Sequence, residues 1–134
     1  MGLDLNYLVI MEGCVFCKII KNELPSNKEY EDDCVLAFRT LEPVAPVHIL
    51  VIPKKHIANL SQVDDSDIEV LGKCQIIAKK LADRLGIQDA FRLLTASGSE
   101  AGQSVFHLHY HLIGGWKVQS PKMESEPGGL KKHD

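Results

Sequence analysis

The run "HLHYHLI", residues 107–113, constrains the chain more than any other stretch. Three of the protein's six histidines fall within five of its residues, each separated from the next by one large apolar residue. Successive side chains on a β-strand point to opposite faces. An extended run therefore sets His107, His109 and His111 on one face, with Val105 and Ile113 continuing the row. Phe106, Leu108, Tyr110 and Leu112 take the other face, which reads as core. A helix would fan the imidazoles about 200° apart at each step of two. The aromatic and β-branched residues of the run also favour a strand. Along that strand the imidazoles repeat every 6.5–7 Å or so, roughly two residue rises, so each ring meets a different partner.

The remaining pattern is mixed. "CVFCKIIKNEL", residues 14–24, carries apolar residues at 16, 19 and 20 and predicts a short helix ended by Pro25. "EYEDD" and "CVLAFRT" predict two strands joined by a tight turn at Asp32 and Asp33, and "VHILVIP", residues 47–53, a third strand. Ser66 and Glu69 form a capping-box pattern before Ile68, Leu71, Cys74, Ala78, Leu81 and Leu85, which recur at helical spacing until Gly86. "AFRLLTA" reads as a strand, "SGSEAGQS" as a loop and "VFHLHYHLI" as the last strand. The order gives an α+β fold, an antiparallel sheet with one long and one short helix. Residues 14–115 form the domain, 1–13 an N-terminal extension in which Met11 offers a second start, and 116–134 a C-terminal tail.

A length of 134 residues suits one domain. A net charge of −3 gives no field for nucleic acid, so any phosphate site must be local. No apolar stretch reaches the length of a membrane span, and "MGLDLN" lacks the basic start of a signal peptide. Asn6 stands where a myristoylation motif wants Ser or Thr. The expected compartment is the cytoplasm, with the nucleus a second one, and four cysteines there read as free or metal-bound.

Three readings compete for the histidine row: a polar strand face, a metal face, or nucleophilic catalysis. His107 and His111 lie too far apart on a regular strand for all three rings to hold one ion. A neutral imidazole nitrogen can attack phosphorus while its other N–H is held by a neighbour. The preceding loop suits that chemistry. Gly98 and Gly102 allow backbone N–H groups to turn toward an anion, and Gln103 and Ser104 add neutral donors.

Together, "GQSVFHLHYHLIGG", "YEDDCVLAF", "APVHILVIPKKHI" and "CVFCKII" resemble the histidine triad family, in its nucleotide-binding (Hint) branch. The resemblance spans about residues 14–115, and the "GG" after the triad differs from the Pro-Arg usual in the dinucleoside polyphosphate hydrolase branch. It implies a homodimer that hydrolyses nucleoside 5′-phosphoramidates to a nucleoside monophosphate and an amine, with a purine nucleotide as substrate. By resemblance His109 is the nucleophile, and His111 and His48 orient the active face. Gly102, Gln103 and Ser104 surround the α-phosphate, with Ser104 also a catalytic donor. Phe16, Ile19, Phe38 and Leu41 match positions around the base. Two positions depart from the family. Thr40 stands where an aspartate usually holds the ribose, and Ala96 where an asparagine is usual. The alternative activities are dinucleoside polyphosphate hydrolysis and a weakly catalytic nucleotide-binding or protein-interaction module.

Cys14-x-x-Cys17 offers two thiolates, and His56 and His107 complete a Cys₂His₂ set of the kind that holds structural zinc. Some zinc-bearing histidine triad proteins resemble this pattern, with the first triad histidine a ligand. Cys34 and Cys74 read as small core residues.

Overall fold

Val47 to Pro53 form the central strand, because a β-branched run of this length can bury both its faces. A computed structural model describes residues 13–116. In chain order it has helix α1 (Val15–Ile20), strands β1 (Lys28–Glu31), β2 (Val35–Arg39) and β3 (Val47–Pro53), helix α2 (Ile68–Arg84), and strands β4 (Phe91–Leu94) and β5 (Tyr110–Gly114). The five strands form one sheet in the order β1-β2-β3-β5-β4, and every neighbouring pair is antiparallel.

Strand alternation divides the interior in two. Val35, Ala37, Ile49, Val51 and Leu112 face α2, which presents Cys74, Ile77, Ala78, Leu81 and Ala82. Leu36, Phe38, Leu50 and Ile52 face α1, which presents Phe16, Cys17 and Ile19. A six-residue helix has no stability of its own in water. Burial of Phe16 and Ile19, each worth about 1.5–3 kcal/mol, holds α1 on the sheet.

Local details differ from the sequence expectations. α1 stops at Ile20, well before Pro25, and Asn22 turns the chain in a left-handed conformation, φ 63°. The capping box forms between Asp64 and Asp67 on a 3₁₀ turn instead of Ser66 and Glu69, because the chain enters α2 through that turn. Ile68, at the helix start, is 67% exposed. Cys34 is exposed in the β1–β2 turn, where its N–H and that of Val35 donate to Asp32 Oδ1. Cys74 is buried as expected. The last strand begins at Tyr110, not Val105, so Phe106 escapes the core and is 46% exposed. The expectations for residues 1–12 and 117–134 lie outside the described residues.

Candidate active site and metal centre

β5 places His111 directly opposite Leu50, and His48 opposite Ile113. His48 and His111 are thus diagonal neighbours on the α1 face, within reach of one another. His48 Nε2 lies 2.9 Å from His111 Nδ1. His107 and His109 precede the strand. Leu108 N–H donates to Ile57 O at 2.6 Å, and Thr95 Oγ1 donates to His109 O at 2.7 Å. These bonds keep the side-chain alternation without a ladder: Leu108 enters the α2 core, while His107 and His109 turn to the other side.

Backbone groups set the ring tautomers, because a carbonyl only accepts and an amide N–H only donates. His109 Nδ1 lies 2.7 Å from His107 O, so Nδ1 carries the proton and Nε2 the lone pair. His107 Nε2 lies 2.8 Å from Pro53 O, which leaves the lone pair on Nδ1. Val44 N–H donates to His48 Nδ1 at 3.1 Å. Neutral His48 then donates from Nε2 to His111 Nδ1, and His111 keeps its proton on Nε2. The row therefore presents one nucleophilic nitrogen, on His109, beside one donor N–H, on His111. Burial pushes the His109 pKa below its ordinary value, against the opposing pull of the bond to His107 O, and favours the neutral ring.

Both rings line a cleft of about 310 Å³. Phe16, Ile19 and Phe38 give it an apolar wall, with the Phe16 ring edge-on to Phe38 at 5.4 Å and to His109 at 5.2 Å. Ser104 and Thr40 lie along it, and Leu41, 97% exposed, stands at its rim. Thr40 Oγ1 accepts from Glu42 N–H at 3.2 Å, which leaves its own hydroxyl proton for another partner. Gly102 and Gln103 do not line the cleft. Gly98 and Gly102 bracket the loop with φ of 96° and 102°, values that residues with a side chain rarely adopt.

The metal candidates converge on the other side of His107. The donor atoms of Cys14, Cys17, His56 and His107 all lie within 4.8 Å of one another, and all four residues are buried. His107 Nδ1 is 3.5 Å from Cys14 Sγ, 3.6 Å from Cys17 Sγ and 3.2 Å from His56 Nδ1, and Cys17 Sγ is 3.3 Å from His56 Nδ1. A tetrahedron with metal–nitrogen bonds of about 2.0–2.1 Å and metal–sulfur bonds of about 2.3 Å has N–N edges near 3.3 Å and N–S edges near 3.5 Å. The donor set thus has the size and chemistry of a tetrahedral site. Burial pushes the Cys17 thiol up to about 12, with Cys14 beside it adding to the shift, and burial pulls His107 down to about 4. A dication among these atoms would reverse the thiol shift.

Several contributors carry no sequence signal. Thr95, Asn59 and the backbone carbonyls of Pro53 and Ile57 act through contacts distant in the chain, and the Val44 N–H acts through a loop conformation that places it on His48. Only the hydroxyl of Thr95, just beyond β4, distinguishes its position from the apolar run before it.

A fold with this histidine row defines a class, and comparison with known proteins agrees. The HIT domain family model matches residues 21–118. An uncharacterized HIT-like protein of Synechocystis is 49% identical over 104 residues, covering 78% of this chain and 91% of the relative. Among solved structures, a HIT family hydrolase from Clostridium thermocellum is 50% identical with a TM-score of 0.78, covering 84% of this chain and 97% of that one. A histidine triad protein from Clostridium difficile is 45% identical with a TM-score of 0.75, covering 81% and 96%. The chain belongs to the HIT domain family.

Proposed function

We propose that this protein is a nucleotide hydrolase that cleaves the P–N bond of nucleoside 5′-phosphoramidates, through a nucleotidyl group carried on His109. The observation that carries the reading is the 2.7 Å bond from His109 Nδ1 to His107 O, which leaves Nε2 unprotonated on a ring that lines the cleft. His109 Nε2 forms a bond to the α-phosphorus as the P–N bond breaks, and the amine leaves with a proton taken from solvent, which the attacking water of the second step returns. Water then attacks the nucleotidyl group, releases the nucleoside monophosphate and restores the neutral ring. His111 Nε2–H, oriented by His48, donates to the charge that builds on the phosphoryl oxygens, and Ser104 supplies a second donor. Phe16, Ile19 and Phe38 hold the base, with Leu41 at the rim, and Thr40 holds the ribose; AMP-type purine nucleotides suit this apolar wall. The hydrolase names of similar structures support the reading.

Cys14, Cys17, His56 and His107 would hold a structural zinc ion. It would tie α1, the cleft wall, to the segment that precedes β5. Thiols kept reduced for this role suit the cytoplasm. Among the described residues no helix is long and apolar enough to cross a membrane. A homodimer fits the edge position of β4 and the exposed Ile68 and Ile76 on α2. A sedimentation mass of one chain at micromolar concentration would remove the dimer.

The test is incubation with adenosine and guanosine 5′-phosphoramidates beside diadenosine polyphosphates, with the products identified. Nucleoside monophosphate and ammonia should form from the phosphoramidates, and His109→Ala should abolish this while retaining the fold. Faster cleavage of the diadenosine compounds would favour the polyphosphate reading. No turnover of either would leave a binding module.

A further inference from the structure

Gln103 opens the triad segment beside Ser104 and is 4% exposed. Its Oε1 accepts from Gly98 N–H at 2.8 Å and from Asn59 Nδ2 at 3.0 Å. Its Nε2 donates to Ala58 O at 2.7 Å and to Val105 O at 3.0 Å. Two acceptor sites and two donor protons are the whole capacity of a primary amide. The Gly98 amide and the two carbonyls also fix which end of the amide is which. Asn59 is oriented in turn, because its Oδ1 accepts from Ser61 N–H and Ser61 Oγ. The side chain of Gln103 therefore has nothing left to offer a phosphate.

Its four bonds reach both ends of the glycine loop and the segment 56–59. That segment also holds the start of the triad: Ile57 O accepts from Leu108 N–H, and His56 Nδ1 lies against His107 Nδ1. The stretch 103–109 lies outside the sheet, so no strand ladder sets its position.

We propose that Gln103 and Asn59 are positioning residues, which clamp the Gly98–Ser104 loop to segment 56–59 and so fix Ser104 and His109 relative to each other. Asn59 does not line the cleft, and its side-chain amide reaches the loop through Gln103 Oε1. The clamp rests on the phosphoramidase reading for its kinetic consequence, but not for its effect on the loop.

Asn59→Ala removes the bond to Gln103 Oε1, together with the two that Ser61 donates to Asn59 Oδ1, and touches no cleft residue. Displacements of about 1 Å at a reacting centre cost up to about a hundredfold in rate, and loss of one of four clamp bonds should lower kcat for adenosine 5′-phosphoramidate by about fivefold to tenfold. AMP affinity should change less than about twofold, since the apolar wall is untouched. The Gly98 amide, bonded to the same oxygen, should exchange its hydrogen faster. In a Gln103→Met background, Asn59→Ala should add almost nothing, because its route is already cut. Unchanged kcat and unchanged Gly98 exchange in Asn59→Ala, or independent multiplying effects of the two substitutions, would overturn the clamp. Should the wild-type protein fail to cleave the phosphoramidate, the functional reading falls alone. Gly98 exchange in the folded variants then still decides the clamp, with faster exchange supporting it and unchanged exchange refuting it.

Discussion

Replacement of Phe16 by alanine probes how strongly α1 is tied to the sheet. Phe16 is 6% exposed and meets the rings of Phe38, His107 and His109 edge-on at 5.4, 6.0 and 5.2 Å. Truncation of a buried phenylalanine costs about 3–5 kcal/mol, a transfer contribution plus that of the hole left behind. Phe16 also borders the 310 Å³ cleft, so part of the hole opens to water and its cavity cost shrinks. A loss of about 3 kcal/mol follows, at the low end of that range. For a domain of this size, at about 4 °C per kcal/mol, the melting temperature should fall by about 12 °C. Calorimetry or circular dichroism on the wild-type and variant proteins, both loaded with the same metal, measures this directly. AMP affinity should fall in parallel, because the base loses its wall. A decrease below about 4 °C with unchanged AMP affinity would show that α1 is not packed by Phe16 as described.

Thr40→Asp should tighten nucleoside monophosphate binding by up to about tenfold, or roughly 1.4 kcal/mol, because a hydrogen bond to a charged group is worth more than a neutral one. The gain should be larger for ribose than for 2′-deoxyribose, and equal or absent gains in a titration of both sugars would place Thr40 away from the ribose. Purified protein should carry about one zinc per chain by elemental analysis. Cys17→Ser should lower that content and the melting temperature together. Metal-free wild-type protein with the same melting temperature as protein given zinc would dismiss the metal centre.

The sequence displayed some of this architecture plainly and hid the rest. β3 matches its expected span because a β-branched run admits little else. The two glycines of the triad loop lie in the backbone region that their identity suggested. The helix pattern identified Cys74, Ala78 and Leu81 as core, yet included Ile68, whose burial depended on where the helix met the sheet. The alternation in "VFHLHYHLI" predicted the faces of the histidines. It could not reveal that residues 107–109 would be held by segment 56–59 instead of a neighbouring strand, which is why Phe106 was misplaced in the core. The donor set Cys14, Cys17, His56 and His107 was legible as residue types, and the fold brings it together. Gln103 was expected at the phosphate on its residue type and position. Two of its four internal bonds reach Ala58 and Asn59, more than forty residues away in the chain, which no local pattern encodes.

The central claim is that His109 carries the nucleotidyl group, so that two displacements occur at phosphorus. Each in-line displacement inverts the phosphorus centre, and two restore it. The decisive measurement uses a phosphoramidate whose α-phosphorus is made chiral by sulfur and hydrolysis in oxygen-18 water, with the configuration of the thiophosphate product read by phosphorus NMR. Net retention is the predicted result. Net inversion would mean that water attacks the phosphorus directly, and would contradict a covalent role for His109.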